Sequence, residues 1–280
     1  MDNGTDPSSS QFDIEVRFLN SPTLEQRGAF ETAAARWRGA ITGDLSAVKL
    51  TASSGVDANS CGITHPAVRE TVEDVLIFVV VRPLDGPGGL LGQAGPCIYR
   101  TPGFQTVVGV MEFDSVDLSA LADRGTLVPV IIHEMGHVLG FGTTWSAFNP
   151  SKITGSGTTD PLFTGEQAKD YFGRAGATMT NGVPLENCVA GVPASCGDGT
   201  RDLHWRESTF RTEIMTGYVS PGSNPLSAVT IASFADLGYK VNLGAADTYR
   251  IPSVSAFDAG ATDVMPIREK LIQPRFAVPR

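Results

Sequence analysis

The chain has 280 residues and a formal net charge of −9, with 41% hydrophobic and 18% charged side chains. That balance supports a sizeable core, in one domain of two lobes or in two small domains, and its sign argues against nucleic acid or an anionic membrane surface as partner. No apolar run approaches the roughly 20 residues that a membrane-spanning helix requires, and the opening MDNGTDPSSS reads as a polar, flexible tail (1–11) with no charged-then-apolar leader.

From there FDIEVRFL alternates polar and apolar side chains, as a half-buried strand does. Ser21-Pro22-Thr23 opens a helix in which Thr23 and Gln26 are spaced as a capping box, with Leu24, Phe30, Ala34, Trp37 and Ile41 as its apolar face. DVLIFVVV at 74–81 is a continuous apolar run, the pattern of a buried central strand. The glycine-rich LDGPGGLLGQAGPC then leads through a short edge strand to another strand, VVGVMEF, at 107–113. Residues 127–139 read as a helix that admits Pro129 only in its first turn. Gly, Ser, Thr, Asn and Pro dominate 143–202, with one helical candidate at 166–172; so long an irregular stretch is a functional or decorated insertion. Helical periodicity returns at 227–237 and stops at Gly238, and no internal repeat is visible.

Four cysteines lie in loops, which predicts two disulfides and an exported protein. Of the three pairings, Cys61–Cys97 and Cys188–Cys196 are expected: the first joins two Gly/Pro-containing loops and the second brackets a short turn-rich segment. No C-x-x-C spacing favours a thiolate zinc site.

The stretch IIHEMGHVLGFGTTW, 131–145, carries the chemistry. On a helix, His133 and His137 share a face and aim their imidazoles at one point, as zinc requires; Glu134 stands beside that point, placed to take a proton from water. The bland alternative is a helix with two core or surface histidines, but H-E-x-x-H is improbable by chance in a chain with four histidines. Gly140 suits the left-handed residue that ends such a helix. H-E-x-x-H-x-x-G is the metzincin metallopeptidase signature, usually continued by a histidine three residues later. Here that position is Thr143, which leaves His65 or His204 as third ligand. His65 precedes Pro66 in a loop and reads as an ordinary loop histidine. His204 lies eleven residues before Met215 in EIMTG, which resembles the metzincin Met-turn, so His204 is the expected ligand.

HEMGHVLGF, the long insertion, HW and EIMTG together resemble the leishmanolysin-like metzincin peptidases over about 12–249. The resemblance implies an α+β, zincin-like fold with an active-site cleft between two lobes. The upper lobe, 12–142, would hold a mixed twisted sheet and two helices; the insertion spans 143–203; the lower lobe, 204–280, would carry the third histidine, the Met-turn and one late helix. It further implies a zinc endopeptidase acting on extended polypeptide, with Glu134 as general base and acid; with the cysteines, a secreted protein is expected, and a monomer is favoured over an oligomer. Gly92, Gln93 and Ala94 would form an upper rim that pairs with substrate by strand addition. Tyr218 would donate to the oxyanion, although relatives usually carry that tyrosine two residues after the methionine, not three. DGPGGLL resembles a calcium loop of matrix metalloproteinases, with Asp85, Asp114 and Asp117 as ligands; the alternative is a solvated turn and an acidic helix N-terminus. Two other functions fit the motif: a zinc-bound adhesion domain that cleaves nothing, and an amidase acting on a cell-wall link.

Overall fold

In the computed structural model, which describes residues 11–178, 181–189, 199–252 and 264–279, the apolar run becomes the centre of a six-stranded sheet. Strand β1 (Ile14–Phe18) lies parallel to β4 (Val75–Arg82), and β4 parallel to β6 (Thr106–Asp114). Strand β5 (Gly92–Thr101) runs antiparallel to β6. The outer edge of β5 is covered by two strands parallel to it, β12 (Glu269–Leu271) and β13 (Phe276–Pro279). The run 75–81 is apolar throughout because both faces are covered. Val75, Ile77, Val79 and Val81 enter one hydrophobic cluster with the helices, while Leu76, Phe78 and Val80 enter a second. Around that second cluster lie the short antiparallel pair β2 (Val48–Lys49) and β3 (Thr71–Val72) and the disulfide Cys61–Cys97. The other expected bridge includes Cys196, which lies outside the described residues.

Helix α1 (Leu24–Ala40) begins with a complete capping box: Gln26 N–H donates to Thr23 Oγ1 at 3.2 Å, and Thr23 N–H to Gln26 Oε1 at 2.9 Å. Its buried face is Gln26, Ala29, Phe30, Ala33, Ala34, Trp37 and Ala40. Leu24, expected on that face, is 88% exposed, because it sits two residues from Gln26 on the opposite side of the first turn. The upper lobe holds three helices, not two. Besides α3 (Leu127–Val138) there is α2 (Ser115–Asp123), which Asp114 caps by accepting from Val116 and Asp117 N–H.

The insertion is ordered by aromatic packing. Phe141, Trp145, Phe163, Trp205 and Phe210 interlock at centroid distances such as 4.6 Å (Phe141–Trp145) and 4.9 Å (Phe141–Trp205), so residues sixty positions apart meet at the end of α3. A small sheet of β7 (Ile153–Thr154), β8 (Leu162–Phe163) and β9 (Val183–Pro184) lies here. Helix α4 (Glu166–Arg174) follows β8, and the Asp236 carboxylate at the end of α6 (Ala228–Asp236) accepts the free amides of Gln167 and Ala168. The single turn α5 (Glu207–Phe210) and the two-residue β10 (Tyr218–Val219) complete the lower half. Towards the end of the chain β11 (Met265–Pro266) pairs with β10, and β12 and β13 join the six-stranded sheet along the edge of β5. Among the described residues no helix is long and apolar enough to cross a membrane.

Candidate metal centre

Helix α3 is buried almost all round, and its register is fixed from outside. Trp37 Nε1 donates to the Ile132 carbonyl at 2.9 Å. The carbonyls left over at its C-terminus each receive a hydroxyl: Thr143 Oγ1 donates to His137 O at 2.8 Å, Thr106 Oγ1 to Val138 O at 2.7 Å and Tyr239 OH to Leu139 O at 2.9 Å. Thr143 thus stands where a third histidine would follow in most metzincins and secures the backbone of the second. Gly140, at φ +118°, turns the chain away. A Cβ on Gly142 would lie 2.5 Å from the Leu203 carbonyl oxygen, so glycine there lets the returning chain, and with it His204, come close. His204 is held by its neighbours: Glu186 N–H donates to its carbonyl at 2.9 Å, and Trp205 N–H donates to Met215 O at 3.0 Å.

The three imidazoles converge. Their Nε2 atoms form a triangle of 3.0 Å (His133–His137), 3.0 Å (His137–His204) and 3.1 Å (His133–His204), and all three side chains are buried. Each ring also faces a carbonyl through Nδ1: Ile214 O at 2.7 Å for His133, Phe141 O at 2.8 Å for His137 and Thr200 O at 3.1 Å for His204. A carbonyl only accepts, so each Nδ1 carries the proton and each Nε2 presents a lone pair. Three lone pairs pointing at one another, with no proton among them, repel unless a cation lies between. Tetrahedral zinc bonded to nitrogen at about 2.0–2.1 Å separates its ligand atoms by roughly 3.3–3.4 Å, close to this triangle. Burial holds the His137 imidazole well below its ordinary range, which keeps it neutral as a ligand must be.

A fourth group enters that sequence reasoning missed. Glu269, from β12, places Oε1 2.7 Å from His204 Nε2 and 3.4 Å from His133 Nε2, and Oε2 3.6 Å from His137 Nε2. The four side chains form a buried group whose ligand atoms all lie within 4.8 Å of one another. A signal was present in PIREKLI: Ile267, Glu269 and Leu271 alternate as one strand face, which puts a carboxylate among apolar neighbours. Glu134 is fully buried beside this group, and neither of its oxygens meets a hydrogen-bond donor among the described residues. Burial, and then the Glu269 charge, push its carboxyl well above its ordinary value.

The floor of the site is Met215. A Cβ on Gly136, inside the H-E-x-x-H segment, would lie 3.0 Å from Met215 Sδ, so the missing side chain admits the methionine against α3. Tyr218 is buried in β10. Gly92, Gln93 and Ala94 lie on the outer edge of β5, paired with Glu269, Lys270 and Leu271. His65 stands apart: its Nε2 accepts from Cys61 N–H at 3.0 Å, its Nδ1 faces Pro66 O at 2.7 Å, and its ring stacks on Phe78.

Asp85, Asp114 and Asp117, expected as calcium ligands, are engaged by backbone amides, and calcium is not supported. Asp114 accepts from Leu84, Val116 and Asp117 N–H, Asp117 from Gly88 N–H, and Asp85 from Leu90 N–H. These carboxylates cap α2 and tie down the glycine loop, while the second Asp117 oxygen is buried without a hydrogen-bond donor among the described residues.

Two buried imidazoles of α3 and a third from His204, with Glu134 one residue along the helix from His133, could hold a metal ion. The family model Peptidase_M8, Leishmanolysin, matches residues 47–257, well over half the chain. The chain belongs to this family of zinc-dependent metallopeptidases. No curated protein matches it.

Proposed function

We propose that the protein is a secreted zinc endopeptidase of the metzincin type, in which His133, His137 and His204 hold the metal and Glu134 moves the proton. The observation that carries this reading is the proton-free triangle of Nε2 atoms. Zinc, when bound, supplies a Lewis acid for the scissile carbonyl and its attacking water. Glu134 is buried with no hydrogen-bond donor to either oxygen among the described residues, so its raised basicity suits it to accept a proton from water and deliver it to the leaving amine. The edge of β5 at Gly92, Gln93 and Ala94, which β12 pairs with here, would offer backbone groups to an extended polypeptide once freed, and residues 218–225 would wall the opposite side. The Tyr218 hydroxyl is a candidate oxyanion donor. The Cys61–Cys97 disulfide supports an oxidising, extracellular setting.

A binding-only role is disfavoured by Glu134, because a buried carboxyl without partners costs stability and a binder gains nothing from it. Incubation with casein and with cell-wall fragments separates these readings. Zinc-loaded protein is expected to cut casein, to lose that activity on chelation, and to lose it in Glu134→Ala while metal content stays. Chelator-resistant cleavage, an active Glu134→Ala variant, or release of cell-wall amide products alone would overturn the reading.

A further inference from the structure

We propose that residues 264–279 are seated in the chain's own peptide-binding cleft, with Glu269 as a fourth ligand to the metal, so that the molecule in this state is closed to substrate. This rests on the zinc endopeptidase reading above, and four observations support it.

The first is the donor set. The proton of His204 is committed to Thr200 O, so the 2.7 Å approach of Glu269 Oε1 to His204 Nε2 is an acceptor facing an acceptor. With Nε2 unprotonated, that contact becomes favourable when both atoms share a metal ion. The second is the upper rim. The edge groups of β5 that an extended substrate would use are already taken: Glu269, Lys270 and Leu271 pair with Gly92, Gln93 and Ala94, and Ile272 N–H donates to Ala94 O at 2.7 Å. Just before them, Leu91 N–H donates to Arg268 O at 2.7 Å.

The third is the lower wall. Met265 and Pro266 pair with Val219 and Tyr218, and Ile267 N–H donates to Gly217 O at 3.0 Å, immediately beyond Met215. The segment therefore bridges both sides of the cleft across the histidines. The fourth is fit. A Cβ on Gly199 would lie 2.5 Å from the Glu269 carbonyl oxygen, and one on Gly95 would overlap the Ile272 carbonyl. Two glycines thus make room for this backbone, while Ile267, Ile272 and Val278 are buried on it.

What reaches the histidines is a side-chain carboxylate, not a peptide carbonyl. The segment therefore occupies the place of the scissile bond without offering one. Tethered in the same chain, it competes at high effective concentration against any free peptide.

The test uses the full-length protein loaded with Co²⁺, whose visible absorption reports the ligand set, and acetohydroxamate as a probe of open coordination. Two variants are compared with wild type: Glu269→Ala removes the ligand, and Ile272→Glu unseats the segment while keeping it. Both are expected to change the cobalt spectrum, to bind acetohydroxamate at least tenfold more tightly, and to cut casein at least tenfold faster. Spectra and acetohydroxamate affinity unchanged in the folded variants would overturn the proposal. If wild type and variants cut casein equally with equal acetohydroxamate affinity, the endopeptidase stands and the internal occupant falls. If the variants open to acetohydroxamate but none cuts any peptide, the occupant stands and the endopeptidase falls.

Discussion

Replacing Glu213 by glutamine would disturb the metal centre from below without touching a ligand. The Glu213 carboxylate is completely buried and accepts four hydrogen bonds: Met215 N–H at 2.7 Å on one oxygen, and Ser227 N–H at 3.1 Å, Ser227 Oγ at 2.7 Å and Thr230 Oγ1 at 2.5 Å on the other. It thereby clamps the Met215 turn to the start of α6. Glutamine keeps the three-donor side by turning its carbonyl there, but its amide then confronts the Met215 N–H, donor against donor. A hydrogen bond to a charged group contributes about 1.5–3 kcal/mol, and an opposed buried donor costs more, so a loss of roughly 2–4 kcal/mol is expected. At roughly 2–4 °C per kcal/mol for a chain of this size class, Tm falls by about 4–16 °C. Ile214, between Glu213 and Met215, supplies the carbonyl that orients His133 through Nδ1. Loss of such a partner typically weakens metal affinity 10–100-fold. Thermal unfolding of the metal-free variant and zinc competition against a chromophoric chelator read the two effects separately. An unchanged Tm would refute the clamp. A lowered Tm with zinc affinity equal to wild type would refute the link from the clamp to His133.

Three other perturbations test the packing and electrostatics. Burial raises the Glu207 carboxyl to about 7 from an ordinary 4.5, so between those pH values the unfolded chain releases a proton that the native chain keeps. Glu207 should therefore make native stability fall by about 3 kcal/mol as pH rises through that window; Glu207→Gln should make the slope shallower by that amount, and parallel Tm–pH profiles would contradict this. Gly136→Ala places a methyl 3.0 Å from both Met215 Sδ and Trp37 Cζ2, two atoms of fully buried side chains. Despite alanine's better helix propensity, a net loss of about 1–2 kcal/mol is expected by denaturant unfolding, and a gain would show that the floor yields freely. Removing the Cys61–Cys97 bridge, which closes a separation of 36 residues, should lower stability by about 4 kcal/mol, measured as Cys61→Ala/Cys97→Ala against wild type.

What was legible in the sequence is what local chemistry decides. The capping box at Thr23 and Gln26, the two-faced burial of 75–81 and the glycine that ends α3 are set by neighbours a few residues away, and the structure has all three. Helix α2 was ambiguous because Asp114 reads equally as a cap or as a calcium ligand in the sequence; the amides of Leu84, Val116 and Asp117 converging on it show the cap. The β7–β8–β9 sheet left no periodicity, since its strands are two residues long and their order comes from the aromatic cluster beneath. The three histidines singled out from the sequence do meet at Nε2. Glu269 escaped because its contact with His133 spans 136 residues, and its place depends on which strand edge the end of the chain selects. A pairing of that range is fixed by tertiary structure, not by any local pattern.

X-ray absorption at the zinc edge of the full-length, zinc-loaded protein, compared with His204→Ala, tests the centre most directly. Three imidazoles around the ion in wild type, reduced to two in the variant with weakened binding, is the predicted result. A spectrum with fewer than three imidazoles in wild type, or one that the loss of His204 leaves unchanged, would contradict it.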